Sequence, residues 1–246
     1  MIELRGLAKS FGANRVLAGI DLDVATGESL VVIGGSGTGK SVLLKCVLGL
    51  IEPDAGTIRL DGQDVTHIPR DAFLSRFGML FQGGALFDSL PVWQNVAFRH
   101  LKDRVPRAEA RTRAIETLAR VGLPARTADL YPAELSGGMQ KRAALARAIA
   151  ADPQVIFFDE PTAGLDPIMA GVINKLIREA VTHLGATAIT ITHDMTTVRT
   201  VADRVGLLHD GLLRWIGPAD DLDRSGDPYV EQFIHGRAEG PIAPLR

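Results

Sequence analysis

Ser29-Leu30-Val31-Val32-Ile33-Gly34-Gly35-Ser36-Gly37-Thr38-Gly39-Lys40-Ser41 reads as a short apolar strand that breaks into a glycine-rich loop. A helical pattern follows at once, with Leu43/Val47 and Leu44/Leu48 recurring at i, i+4. Gly34 to Ser41 fits G-x-x-x-x-G-K-[ST] in the strand, loop, helix setting that the pattern requires. Glycines let the backbone turn tightly and aim successive N–H groups at phosphate oxygens, and the helix starting near Lys40 adds the positive end of its dipole. The pattern gives Lys40 to the β- and γ-phosphates and the Ser41 hydroxyl to Mg²⁺. A plain glycine-rich turn is the competing reading, and the flanking strand and helix count against it.

Outward from this loop, short apolar runs alternate with longer helical patterns, as in an α/β sheet. Val155-Ile156-Phe157-Phe158 is apolar at every position, the mark of a strand covered on both faces, and Thr187 to Thr192 reads as another. Asp61-Gly62 and Asp210-Gly211 each join two strand patterns as hairpin turns. Between about Asp88 and Ala151 strand signals vanish, and Pro106 opens a helix with Ile115 and Leu118 on one face. Beyond Gly226 the tail holds one short amphipathic turn, Tyr229/Phe233 and Val230/Ile234, ending at Gly236.

Two further clusters carry chemistry. Asp159-Glu160 closes the apolar run at the strand end where α/β sheets bind ligands. Asp159 suits a Mg²⁺ shell, and Glu160 suits a base that accepts a proton from, or orients, attacking water. Leu135-Ser136-Gly137-Gly138-Met139-Gln140 opens a helix running to about Ala151, with Leu145 and Ile149 on its apolar face and Lys141, Arg142 and Arg147 read as polar positions. Ser136 can cap this helix, and Gly137 and Gly138 expose N–H groups to an anion.

Composition sets the bounds. The 246 residues are 46% hydrophobic and 23% charged, a globular mixture long enough for a full core. Twenty-seven basic against 29 acidic side chains leave a net charge of -2, which gives no global field for nucleic acid. The single cysteine, Cys46, excludes an internal disulfide and suits a reducing compartment, and its helix position predicts a buried, inert thiol. With no apolar stretch near the roughly 18 residues that span a bilayer, a membrane role is expected to come through a partner.

Over residues 1 to about 225 the ordered set resembles the nucleotide-binding subunit of an ABC transporter. Phe11 resembles the aromatic that stacks on adenine, and Gln82, in Phe81-Gln82-Gly83, the Q-loop. Ser136-Gly137-Gly138 resembles the signature, Asp166, in Ala163-Gly164-Leu165-Asp166, the D-loop, and His193, in Thr192-His193-Asp194, the switch histidine. The resemblance implies a P-loop NTPase (RecA-like) α/β core with a parallel sheet, an antiparallel β subdomain, and an all-helical subdomain inserted at about 88–151. Residues 226–246 form a tail. It implies ATP and Mg²⁺ as ligands, with Ser41, Gln82 and Asp159 at the metal, Glu160, His193 and Gln82 catalytic, and Phe11, Gly34 to Ser41, Ser136 to Gly138 and Asp166 on nucleotide. It also implies a head-to-tail dimer, ATP lying between the phosphate loop of one copy and the Ser136 to Gly138 signature of the other. Met139 departs from the usual signature glutamine, and Gly35 and Val42 from the commoner proline and threonine, but none of these touches Lys40, Ser41, Asp159 or Glu160.

Five of the 13 aromatics fall within Phe77 to Phe98, a density that suits either core or a groove for a partner helix. The Gly-Gly-Ser-Gly-Thr-Gly-Lys-Ser-Val loop, the run Phe81 to Leu90, Met139 and the tail Asp227 to Arg237 together resemble the ATPases of bacterial phospholipid transporters of the Mla and Mkl type. That resemblance implies an inner-membrane permease and an MCE-domain lipid-binding protein as partners. It places the chain peripherally on the cytoplasmic face of the inner membrane, with Tyr229 and Phe233 stabilising the dimer. Alternative readings are an ABC-class ATPase moving another substrate, a non-transport ATPase, and a nucleotide switch without turnover. The presence of both Glu160 and His193 argues against the last.

Overall fold

The computed structural model describes residues 1–243. The elements in chain order begin with β1 (Ile2–Phe11), β2 (Asn14–Val24), β3 (Ser29–Ile33), α1 (Lys40–Val47), β4 (Ala55–Leu60), β5 (Gln63–Asp64) and α2 (Arg70–Leu74). There follow β6 (Phe77–Leu80), α3 (Val92–Val96), α4 (Phe98–Lys102), α5 (Arg107–Arg120), α6 (Gly137–Ile149), β7 (Val155–Asp159) and α7 (Pro167–Leu184). The chain continues with β8 (Thr187–Ile191), α8 (Met195–Val201), β9 (Arg204–His209), β10 (Leu212–Pro218) and α9 (Pro228–His235). Two units emerge, one of Met1–Leu74 with the chain from Ile189 onward, the other of Ser75–Ala188.

In the first unit an antiparallel sheet runs in the order β2-β1-β4-β5. Ile2 and Leu4 of β1 are buried beneath exposed or half-exposed Glu3 and Arg5, the alternation of a half-covered strand. Strict alternation would next bring Gly6 inward, yet Leu7 is the buried residue. The register slips between Leu4 and Leu7, and Gly6 at φ +60° supplies the bulge that turns Leu7 into the core. Both hairpin turns form as read from the sequence. Asp61 and Gly62 have φ of 51° and 76°, Asp210 and Gly211 of 49° and 71°, the double positive φ that Asp-Gly tolerates. β3, fully buried, pairs parallel with β9, and β10 closes antiparallel on β9.

The second unit is built on the parallel pair β6 and β7, in register from Phe77 opposite Val155 to Leu80 opposite Phe158. Every element from α3 to α6 is helical, and these lie between the two strands in sequence. Phe157 and Phe158 are wholly buried, each worth about 1.5–3 kcal/mol over exposure. α5 starts after Pro106 and buries Ala110, Ala114 and Leu118 at i, i+4, i+8, with Ile115 half-buried. α7 is capped by Asp166, carries Pro167 in its first turn, buries Ile173 and Ile177, and ends at left-handed Gly185.

One expectation is corrected. Lys141, read as a polar-face residue, is only 7% exposed, and Arg147 is half-buried. Lys141 lies four and eight residues before Leu145 and Ile149, so it shares their inward stripe rather than facing water.

Candidate active site

The first unit carries Phe11, the phosphate loop and His193. Gly34 leaves β3 buried, where a Cβ would stand 2.3 Å from the Leu208 carbonyl oxygen. At Gly39, φ +102°, a Cβ would reach 2.9 Å from the Val16 carbonyl oxygen. Only glycine fits at either place, so the loop is pinned between β9 and β2. Buried Lys40 folds back over the loop, Nζ donating to the Gly34 and Gly35 carbonyl oxygens at 2.7 Å each. Thr38 Oγ1 donates to the Gly35 carbonyl at 3.0 Å.

Phe11 stands at the turn of the β1–β2 hairpin, opposite Asn14, with its ring 48% exposed. Since Val16 of the same hairpin abuts Gly39, the exposed ring and the loop belong to one surface region. Thr192 donates its N–H to the Val32 carbonyl at 3.3 Å, so exposed His193 lies beside the end of β3, which feeds the loop. A cavity of about 550 Å³ is lined by Gly35 to Thr38, Asn14 and Arg15, and also by Pro241 to Ala243 of the tail. The buried Gln232 amide of α9 holds that tail, accepting from Ile242 N at 2.6 Å and donating to Ile242 O at 3.0 Å.

The second unit carries Gln82, the signature, Asp159, Glu160 and Asp166. Because β6 and β7 run parallel in register, Gln82 and Asp159-Glu160 leave the same strand ends. Glu160 sits at φ +45°, an uncommon backbone for a non-glycine residue and a known mark of functional sites. Ser136 caps α6, accepting from Met139 N at 3.4 Å. A Cβ on Gly138 would meet the Met169 Cε at 2.6 Å, so signature and the start of α7 are packed together. The Asp166 carboxylate is engaged as the α7 cap, accepting from the N–H groups of Ile168 and Met169 at 3.0 Å.

The residues fit the ligands implied by the sequence. Glycine cradle and lysine suit a polyphosphate, and Ser41, Gln82 and Asp159 offer the oxygen donors that Mg²⁺ prefers. Cys46 is buried, and burial pushes its thiol above the usual range, in keeping with an inert packing residue.

Three anchors of the loop after β6 escaped the sequence reading. Lys141 Nζ donates to the Gln82 carbonyl oxygen. Arg147 donates to the carbonyls of Ala85 at 2.6 Å and Gly84 at 2.9 Å. Wholly buried Asn95 accepts from Phe87 N at 2.7 Å and donates to the carbonyls of Phe87 and Leu90 at 3.1 and 3.0 Å. The stripe spacing of Lys141 was the available signal for the first of these. Asn95→Ala strands these buried groups and should cost about 2–4 kcal/mol in chemical unfolding, with a near-zero change marking them as rehydrated.

Of the clustered aromatics, Phe81, Phe87 and Phe98 are 38–43% exposed whereas Trp93 is buried. Phe87 and Phe98, their ring centroids 4.8 Å apart and tilted by 34°, line a cavity of about 390 Å³ together with Phe77, Phe81 and Arg147. The cluster is thus part core and part exposed groove.

Comparison with known proteins agrees with this geometry. The family model described as ABC transporter matches residues 17–163. The chain is 43% identical, over 98% of its length and 70% of the relative's, to the probable ribonucleotide transport ATP-binding protein mkl of Mycobacterium leprae (strain TN). It is 39% identical, over 100% of its length and 92% of the relative's, to the intermembrane phospholipid transport system ATP-binding protein MlaF of Escherichia coli (strain K12). Its structure is similar to the dimeric post-hydrolysis state of the ATP-binding cassette MJ0796 bound to ADP and Pi, with TM-score 0.80 and 29% identity over 89% of this chain and 99% of that one. From the phosphate loop through the Asp159-Glu160 strand end, sequence and structure agree that this chain belongs to the ABC transporter family.

Proposed function

We propose that the chain is the ATP-hydrolysing subunit of a transporter that moves phospholipid, working as a head-to-tail pair on a membrane permease. The observation that carries the ATPase part is the phosphate loop, with Gly34 and Gly39 locked where no side chain fits and its lysine lying across it. In this reading Lys40 and the loop amides hold the phosphates, Phe11 stacks on the base, and Ser136 to Gly138 of a second copy complete the site. Glu160 takes the proton of the attacking water, while His193 donates to the γ-phosphate and Asp166 lies where two copies meet. Ser41, Gln82 and Asp159 would hold Mg²⁺, which when bound neutralises charge on the phosphate oxygens. Closure is stabilised because the γ-phosphate is bound from both sides, and its loss removes that differential contact.

Similarity to MlaF supports phospholipid as cargo. Among the described residues no helix is long and apolar enough to cross a membrane. In the proposed assembly the permease holds this chain at the bilayer, on its cytoplasmic face, and an MCE-domain protein completes the complex. The exposed Phe81, Phe87 and Phe98 groove suits an apolar helix of that permease. Tyr229, 5.3 Å from the His209 ring and 5.5 Å from the Arg214 guanidinium, and Phe233 are both half-buried, and in this reading both meet the second copy from the tail.

Affinity purification of the tagged chain from detergent-solubilised membranes tests this assignment. It should recover a polytopic permease, an MCE-domain protein and enriched phospholipid. Phe98→Glu should cut permease recovery at least tenfold, since a buried charge without a partner opposes docking. Recovery of an unrelated permease without lipid would discard the cargo, and full recovery with Phe98→Glu would discard the groove.

A further inference from the structure

We infer that Lys141 is a positioning residue for ATP turnover, tying the backbone of Gln82 to α6 so that the loop after β6 and the Ser136 end of that helix act as one piece. The inference rests on the ATPase reading above and adds a residue to it. The position itself favours an apolar side chain: Lys141 is on the stripe of Leu145 and Ile149 and is 7% exposed. Burying an ammonium there is costly, and burial does push its pKa down, while Asp159 and Glu160 pull it back up. Packing therefore gives no reason for a lysine. What the charge provides is a grip on one carbonyl, that of Gln82, 59 residues away in the chain.

A second grip lies further along the same helix. Gly84 and Ala85 are both left-handed, with φ of 73° and 50°, and their carbonyls converge on the Arg147 guanidinium. Arg147 also lies 5.7 Å from the Phe87 ring, at the exposed aromatic groove. The six residue steps from Lys141 to Arg147 span about 9 Å of rigid helix. A displacement at the groove is thereby carried along α6 to Gln82 and to the signature serine together. Lysine and arginine act here through the loop and touch no reacting atom.

ATP turnover with Mg²⁺, measured on the full chain, tests this with Lys141→Met, Lys141→Arg, Gln82→Ala and the Lys141→Met/Gln82→Ala pair. Lys141→Met, which keeps length and removes charge, should lower kcat about tenfold or more with KM little changed, the signature of a misplaced group rather than lost binding. Its Tm should not fall, because the buried charge is gone, and Lys141→Arg should restore most of the rate. The pair should be no slower than Gln82→Ala alone, since both changes act through one loop. Unchanged kcat in Lys141→Met, or a loss that adds in full to that of Gln82→Ala, would overturn the inference. If Lys141→Met does not fold, Lys141→Leu, which likewise has no donor, carries the same comparison. A wild-type chain without turnover would instead overturn the ATPase reading on which the inference stands.

Discussion

Glu160→Gln should lower ATP turnover by about 100-fold or more while leaving nucleotide binding intact. The substitution is nearly isosteric, so the half-buried position after β7 and its left-handed backbone are expected to survive. What disappears is the one group at that strand end proposed to accept a proton from water. Binding energy from the phosphate loop remains, so ATP is held and not cleaved. Phosphate release under saturating ATP measures the loss, and turnover near the wild-type rate would move the base to another residue, His193 first.

Lys40→Ala should act one step earlier, weakening ATP binding about 100-fold, the worth of one or two charge-assisted hydrogen bonds to phosphate. In the structure this ammonium bridges the carbonyls of Gly34 and Gly35, which preorganises it over the loop. Alanine removes both the bridge and the charge, while the glycine geometry at positions 34 and 39 is untouched. Titration calorimetry distinguishes the two variants: Glu160→Gln binds ATP and does not turn it over, whereas Lys40→Ala scarcely binds it. Wild-type affinity in Lys40→Ala would mean that the loop does not hold the phosphates.

Features set by neighbouring residues are legible in the sequence. Asp61-Gly62 and Asp210-Gly211 make their turns because double positive φ is a local demand. Pro106 sets the start of α5 and Leu118 its inward face, although the stripe it shares is that of Ala110 and Ala114, with Ile115 only half-buried at its edge. Ser136, Asp159 and Glu160 can be placed at a helix start and a strand end for the same reason. Features set by distant partners are not legible in this way. The carbonyls that hold Lys141 and Arg147 inward lie 59 to 63 residues away, so beyond the stripe spacing of Lys141 nothing near either cation announces its burial. Asn95 ties up the loop from Phe87 to Pro91, and Gln232 pairs with Ile242 across the tail. The bulge at Gly6 is hidden as well, because alternation in β1 breaks only when its pairing with β2 is known.

In the proposed mechanism ATP itself joins two copies, each completing the other's site through Ser136 to Gly138. Sedimentation of Glu160→Gln is the sharpest test of that joining, since uncleaved ATP accumulates in this variant. With ATP and Mg²⁺ the chain should sediment as a dimer, and with ADP or without nucleotide as a monomer. The same mass in all three conditions would contradict a dimer held together by ATP.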